Sequence, residues 1–133
     1  MRVISLDIGT VRSGFAFGDT DLGLALAGRE VILSSNLFQF LRGEFYSSPY
    51  EVILIGLPKN RDNRDTDMTR LVNETVLQLN EHFPHIKVIQ VNERLTTKIA
   101  RENLGPGKYL DNEAARILLQ EWLDKNSEQL TWF

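Results

Sequence analysis

The chain has 133 residues, 42% hydrophobic and 25% charged, with a formal net charge of -3 and no cysteine. This is ordinary usage for one globular core, so residues 1–133 are expected to form a single domain. It excludes a disulfide framework, a thiolate metal site and a thiol nucleophile, and it argues against coating nucleic acid by overall charge while leaving room for a local basic patch.

In chain order, Arg2 to Ile8 is apolar at Val3, Ile4, Leu6 and Ile8 and stops at Gly9, which predicts a buried strand and a tight turn. Ser13 to Gly18 and Leu24 to Leu33 read as strands, and their short connections predict a three-strand antiparallel meander. Ser34 or Ser35 can cap a helix running to about Phe45, with Leu37, Phe38 and Leu41 at helical spacing. Glu51 to Leu57 is a continuous apolar run, as a strand covered on both faces requires, and is expected at the centre of the sheet. After Pro58 a polar loop leads into a helix from about Thr66 to Glu81, whose inner stripe is Met68, Leu71, Val72, Thr75, Val76 and Leu79. Ile86 to Val91 predicts the last strand, Thr96 or Thr97 the cap of a short helix, Gly105 to Tyr109 a loop, and Asp111 to Asp124 the final helix. The expected architecture is α/β: a five-stranded mixed sheet, three antiparallel strands plus parallel ones, flanked by helices. No segment approaches the roughly 20 apolar residues of a membrane span and Met1 to Asp7 is no signal peptide, so a cytoplasmic protein with no membrane partner is expected.

Three acidic residues carry the chemistry. Asp7 lies in a strand of bulky apolar residues, where a carboxylate is costly unless it is paired, hydrogen-bonded or metal-bound. The competing role is a turn aspartate that accepts amides near Gly9 and Thr10. Glu93 follows a strand, and ligands of open α/β sheets gather at the carboxyl ends of strands; a salt bridge to Arg94 or Lys98 is its alternative. Asp111 begins the apolar face of its helix, because Ala114, Ala115, Leu118, Leu119 and Trp122 follow at helical offsets. Its alternative is a helix N-cap. One shared hard divalent cation would account for all three positions.

These segments resemble the YqgF or RuvX-type proteins of the RNase H-like superfamily, described as pre-16S rRNA nucleases and Holliday-junction resolvases. Asp7-Ile-Gly-Thr-Val-Arg-Ser-Gly-Phe-Ala is similar to that family's opening strand pair, Ile55-Gly-Leu-Pro to its V-G-L-P turn, Glu93-Arg-Leu-Thr-Thr to D-E-R-L-T-T, and Asp111-Asn-Glu-Ala-Ala-Arg-Ile-Leu-Leu-Gln to D-x-x-A-A-x-x-L-L-Q. The resemblance implies an RNase H-like fold, a catalytic and metal-binding triad of Asp7, Glu93 and Asp111, Mg²⁺ or Mn²⁺ as cofactor, and hydrolysis of phosphodiesters. The chain departs from the pattern at Asn92, where an acid is usual, at Asn63, near a usual glycine, and at Val11, where lysine is common. None of these removes a triad member.

An acidic site needs cations nearby to hold phosphate. Arg12, Lys59, Arg61, Arg64, Arg94 and Lys98 lie on segments expected to share one rim of the sheet, and Thr96 and Thr97 add neutral donors. Interleaved Asp62, Asp65 and Asp67 allow the plainer alternative of a solvated mixed-charge surface. The expected partner is nucleic acid, precursor rRNA favoured, on ribosomal particles, with branched DNA as the alternative substrate. Junction resolution needs two symmetric cuts and favours a homodimer, yet nothing in the sequence marks a self-complementary interface, so monomer and homodimer both stay open. A nucleic-acid or ribosome-binding module of the same fold is the non-catalytic alternative. The D-I-G-T turn is also similar to that of actin-like ATPases, but the chain has no room for the second lobe these require.

Overall fold

The computed structural model describes residues 1–57, 67–92 and 110–130. Lys59, Arg61, Arg64, Glu93, Arg94, Thr96, Thr97 and Lys98 lie outside them, as do the helix predicted after Thr96 or Thr97 and the loop predicted over Gly105 to Tyr109. The described strands are β1 (Arg2–Asp7), β2 (Arg12–Asp19), β3 (Leu24–Ala27), β4 (Ile32–Leu33), β5 (Tyr50–Leu57) and β6 (Lys87–Asn92). The helices are a 3-10 turn (Ser34–Asn36), α1 (Leu37–Ser47), α2 (Asp67–His82) and α3 (Leu110–Leu130). The main sheet runs β3-β2-β1-β5-β6, with β4 pairing the start of β2. β1, β2 and β3 are antiparallel neighbours, and β1, β5 and β6 run parallel, as the sequence predicts. The centre is β1 rather than the segment Glu51 to Leu57, because two strands lie on either side of β1, whereas β5 has only β6 beyond it among the described residues.

Alternation along β1 sorts the two layers. Ile4 and Leu6 face α1 and α2 in a core with Phe15, Leu41, Ile53, Ile55, Val72 and Leu79. Val3 faces the opposite way, packing with Ala16, Val52, Leu54, Ala115, Leu119 and Leu123 under α3. α1 stops where Ser48 turns extended, as the residue before Pro49 is steered to do.

The sequence predicts one strand from Leu24 to Leu33; the structure has two, making six strands among the described residues. The break has an identifiable cause. The Gly28 N–H donates to the Phe15 carbonyl at 2.9 Å, but the reciprocal ladder bond is replaced by the side-chain amide of Asn112 from α3. Its Oδ1 accepts the Phe15 N–H at 2.9 Å, while Nδ2 donates to the carbonyls of Gly28 at 3.0 Å and Glu30 at 2.7 Å. The amide sits in the opening ladder like a spacer, 1% exposed, with its hydrogen-bonding groups matched. A second amide of α3 works on the other side of β3: Gln120 Oε1 accepts the Ala25 N–H at 2.9 Å and Nε2 donates to the Gly23 carbonyl at 2.9 Å.

Neither Ser34 nor Ser35 caps α1 with its side chain; both lie in the 3-10 turn, and the residue before α1 is Asn36. The Ser34 hydroxyl donates instead to the Gly9 carbonyl at 2.6 Å. The final helix also runs longer than predicted, ending at Leu130 instead of Asp124.

Candidate active site

Along the face of β1 turned to α3, Val3, Ser5 and Asp7 follow one another at every second residue, so that face changes from apolar to hydroxyl to carboxylate toward the strand's end. Val3 and Ser5 are fully buried and Asp7 is half-buried. The Ser5 hydroxyl donates to the Ala115 carbonyl at 2.8 Å, which fixes the lateral position of α3 over β1. Asp7 pairs with Gly14 of β2, and directly opposed residues project to the same face of a sheet. A Cβ built on Gly14 would stand 2.1 Å from the backbone oxygen of Asp111, 2.2 Å from its carbonyl carbon and 2.7 Å from the Asn112 nitrogen. The first turn of α3 therefore rests on the bare backbone of Gly14, and that contact brings Asp111 to the end of β1 where Asp7 stands.

The other flank of Asp7 is also a glycine. Leu6 pairs with Ile55 of β5, so the next step along the register sets Asp7 beside Gly56. Gly56 also faces α3, where an added Cβ would come 3.2 Å from Leu118 Cδ2. Glycine on both flanks lets α3 pack directly on the sheet backbone beside this carboxylate. Arg12, two residues before Gly14 on the same strand face, is exposed at the rim.

The turn between β1 and β2 is tied down by hydroxyls. Ser34 lies 2.7 Å from Ser13 Oγ and bonds the Gly9 carbonyl, while the Gly9 N–H points to Ser13 Oγ at 3.4 Å. A Cβ at Gly9 would meet the Arg12 carbonyl oxygen at 2.2 Å, so only glycine fits this close approach.

Of the residues singled out by sequence, Asp7, Asp111 and Arg12 share one face of the sheet. Asp111 is the second residue of α3 rather than the residue before it, so it is not the helix N-cap. Glu113, the other acid of that first turn, is engaged by Arg116, whose Nε donates to Oε1 at 2.8 Å. Glu93 is the next residue after Asn92, which ends β6 opposite Leu57 of β5. Among the described residues no three Asp, Glu or His side chains gather as a metal-binding group. The hard oxygen donors of two carboxylates nonetheless fit a divalent cation that prefers oxygen and retains waters.

Sequence reasoning missed Asn112, Ser13, Ser34 and the reason for Gly14. Asn112 had a readable signal: it precedes Ala115, Leu119 and Leu123 by helical offsets, a polar residue on an apolar stripe. The serines carried none, since their partners are remote in sequence.

Relatives span almost the whole chain. A Flavobacterium johnsoniae protein is 31% identical over 135 residues, covering 92% of this chain and 95% of its own. A Rubrobacter xylanophilus protein is 32% identical over 129 residues, covering 92% of each. Both bear the name "Putative pre-16S rRNA nuclease". The fowlpox virus resolvase, solved with Holliday junction DNA, superposes with a TM-score of 0.63 at 14% identity over 95% of this chain and 99% of that one. Thermus-type RuvC, solved with a Holliday junction substrate as "T. thermophilus RuvC", gives a TM-score of 0.61 at 13% identity over 95% and 96%. At such identity these two establish the shared RNase H-like fold. The family model described as RuvX, Holliday junction resolvase, matches residues 1–125, and the chain belongs to that family.

Proposed function

We propose that this chain is a metal-dependent endonuclease that hydrolyses phosphodiester bonds of structured nucleic acid, processing the 5′ end of precursor 16S rRNA in the cytoplasm, with residues 1–133 acting as one nuclease domain. The observation that carries the reading is that Asp7 pairs with Gly14 while the backbone of Asp111 rests on that same glycine. Its RNA substrate is supported by the name that the relatives share.

In this reading Asp7, Asp111 and Glu93 would hold Mg²⁺ or Mn²⁺. The bound cation supplies a Lewis acid for the phosphoryl oxygen and lowers the pKa of the attacking water. The protein's own part is to fix Asp7 on a strand end and Asp111 on a helix start, seated together through Gly14. Arg12 meets the phosphate backbone at the rim, joined by Lys59, Arg61, Arg64, Arg94 and Lys98, with Thr96 and Thr97 as neutral donors. Replacing Arg12 with alanine should weaken binding of all sequences alike and reduce the slope of log affinity against log salt by about 0.7 to 0.9. An unchanged slope in a salt titration would remove Arg12 from the interface.

The family's description favours a second reading, resolution of branched DNA, which calls for a homodimer where rRNA processing can use a monomer. Labelled precursor 16S rRNA fragments and four-way DNA junctions, incubated side by side in Mn²⁺, Mg²⁺ and EDTA, separate the two. Metal-dependent cutting of the RNA alone supports the first, and paired symmetric cuts in the junction support the second. Binding of either polymer without cleavage in any metal would leave a non-catalytic nucleic-acid or ribosome-binding module.

A further inference from the structure

We propose that Asn112 is a positioning residue that sets where Asp111 stands relative to Asp7, by wedging its side-chain amide into the ladder between β2 and β3; this rests on reading those carboxylates as the metal site. The amide joins three backbone groups from two strands' worth of chain, Phe15, Gly28 and Glu30. Phe15 directly follows Gly14, the residue paired with Asp7, and Asn112 directly follows Asp111. One side chain thus locks the register between the two residues that adjoin the carboxylates. From Glu30 the chain continues into β4, which pairs Arg12 and Ser13, so the same wedge also steadies the rim that carries Arg12.

A bond set of this kind is built for placement more than for stability. Without the amide, the Phe15 N–H and the Gly28 carbonyl can close on each other as an ordinary antiparallel pair, because the Gly28 N–H to Phe15 carbonyl half is already formed. The ladder then zips further, and the first turn of α3 loses the anchor that held it at that height. Gln120 supplies a matched comparison. It also clasps the β3 segment through a side-chain amide, with two backbone bonds where Asn112 has three, but eight residues or about 12 Å further along the same helix and away from Asp7.

The test titrates Mn²⁺ alone into the full metal-free chain by calorimetry, well below the melting temperature of each protein, for the parent, Asn112→Ala, Gln120→Ala and Asp7→Asn. Amide hydrogen exchange of Phe15 is followed in the same metal-free samples. The expected result is Mn²⁺ affinity lost in Asp7→Asn, reduced about 10- to 100-fold in Asn112→Ala, as for loss of a group that orients a metal ligand, and within twofold of the parent in Gln120→Ala. Phe15 exchange should change in Asn112→Ala only. Parent-like affinity in Asn112→Ala, or an equal loss in Gln120→Ala, would overturn the positioning role. Equal binding by parent and Asp7→Asn would instead sink the metal-site reading, and the positioning role with it. Should Asn112→Ala not fold, Asn112→Ser, which keeps one hydrogen-bonding atom, is judged by the same affinities.

Discussion

Asp7→Asn is expected to abolish metal-dependent cleavage and leave the fold intact. Losing an outer partner of a metal ligand costs about 10- to 100-fold, so losing a proposed ligand should exceed 100-fold in Mn²⁺-supported rate. The substitution changes neither the shape of the side chain nor its place opposite Gly14. Asparagine keeps a hydrogen-bonding oxygen at the same place, so the metal-free variant should melt close to the parent. Rate and melting curve must be read together: loss of cleavage with unchanged melting is the signature of a ligand. Parent-level cleavage by Asp7→Asn would sink the mechanism, and a collapse in melting temperature would show that Asp7 serves the fold.

A glycine series on the α3 face gives the second large effect. At Gly14 the new methyl group would collide with the Asp111 carbonyl and the Asn112 nitrogen, which are helix backbone and cannot turn aside. Relief requires α3 to lift by about 1 Å or more, and Gly14→Ala should cost at least the 1–3 kcal/mol typical of overpacking. A 1 Å misplacement near reacting groups can itself cost about 100-fold in rate. Gly18→Ala meets only the ends of the Leu119 and Leu123 side chains, at 3.0 and 2.9 Å, and Gly56→Ala meets Leu118 Cδ2 at 3.2 Å. These neighbours can rotate, so urea unfolding should rank Gly14→Ala as the most harmful, Gly18→Ala next and Gly56→Ala mildest. A Gly14→Ala protein as stable and active as the parent would mean that the close seat of α3 on β2 is not needed.

The sequence was most informative where order is local. The alternation of β1, the unbroken apolar run of β5 and the helical stripe of α2 all predicted elements that the structure contains, to within a residue or two at the described ends. Asp7 stood out as a carboxylate in an apolar strand and Asp111 as the start of an apolar helix face, and the structure sets both beside Gly14, while Glu93, the third candidate, lies outside the described residues. The split of β3 from β4 was not legible, since it depends on an amide arriving from a helix more than 80 residues later. Nor was the role of Ser34, whose hydroxyl had a free choice between its own helix and the distant Gly9 carbonyl. The central position of β1 was hidden for a related reason: an apolar run reports burial on two faces but not which neighbours flank it.

The clasp of Gln120 on β3 bears on how this sheet meets other molecules. β3 has only four residues and a single strand partner, β2, so its outward amides and carbonyls would otherwise offer a template for strand addition. Gln120 occupies the outward Ala25 N–H and the Gly23 carbonyl just before the strand, with a donor and an acceptor placed as a neighbouring strand would place them. A side chain from the protein's own helix thereby blunts this margin against edge-to-edge pairing, and removing it should leave those backbone groups open to an added strand.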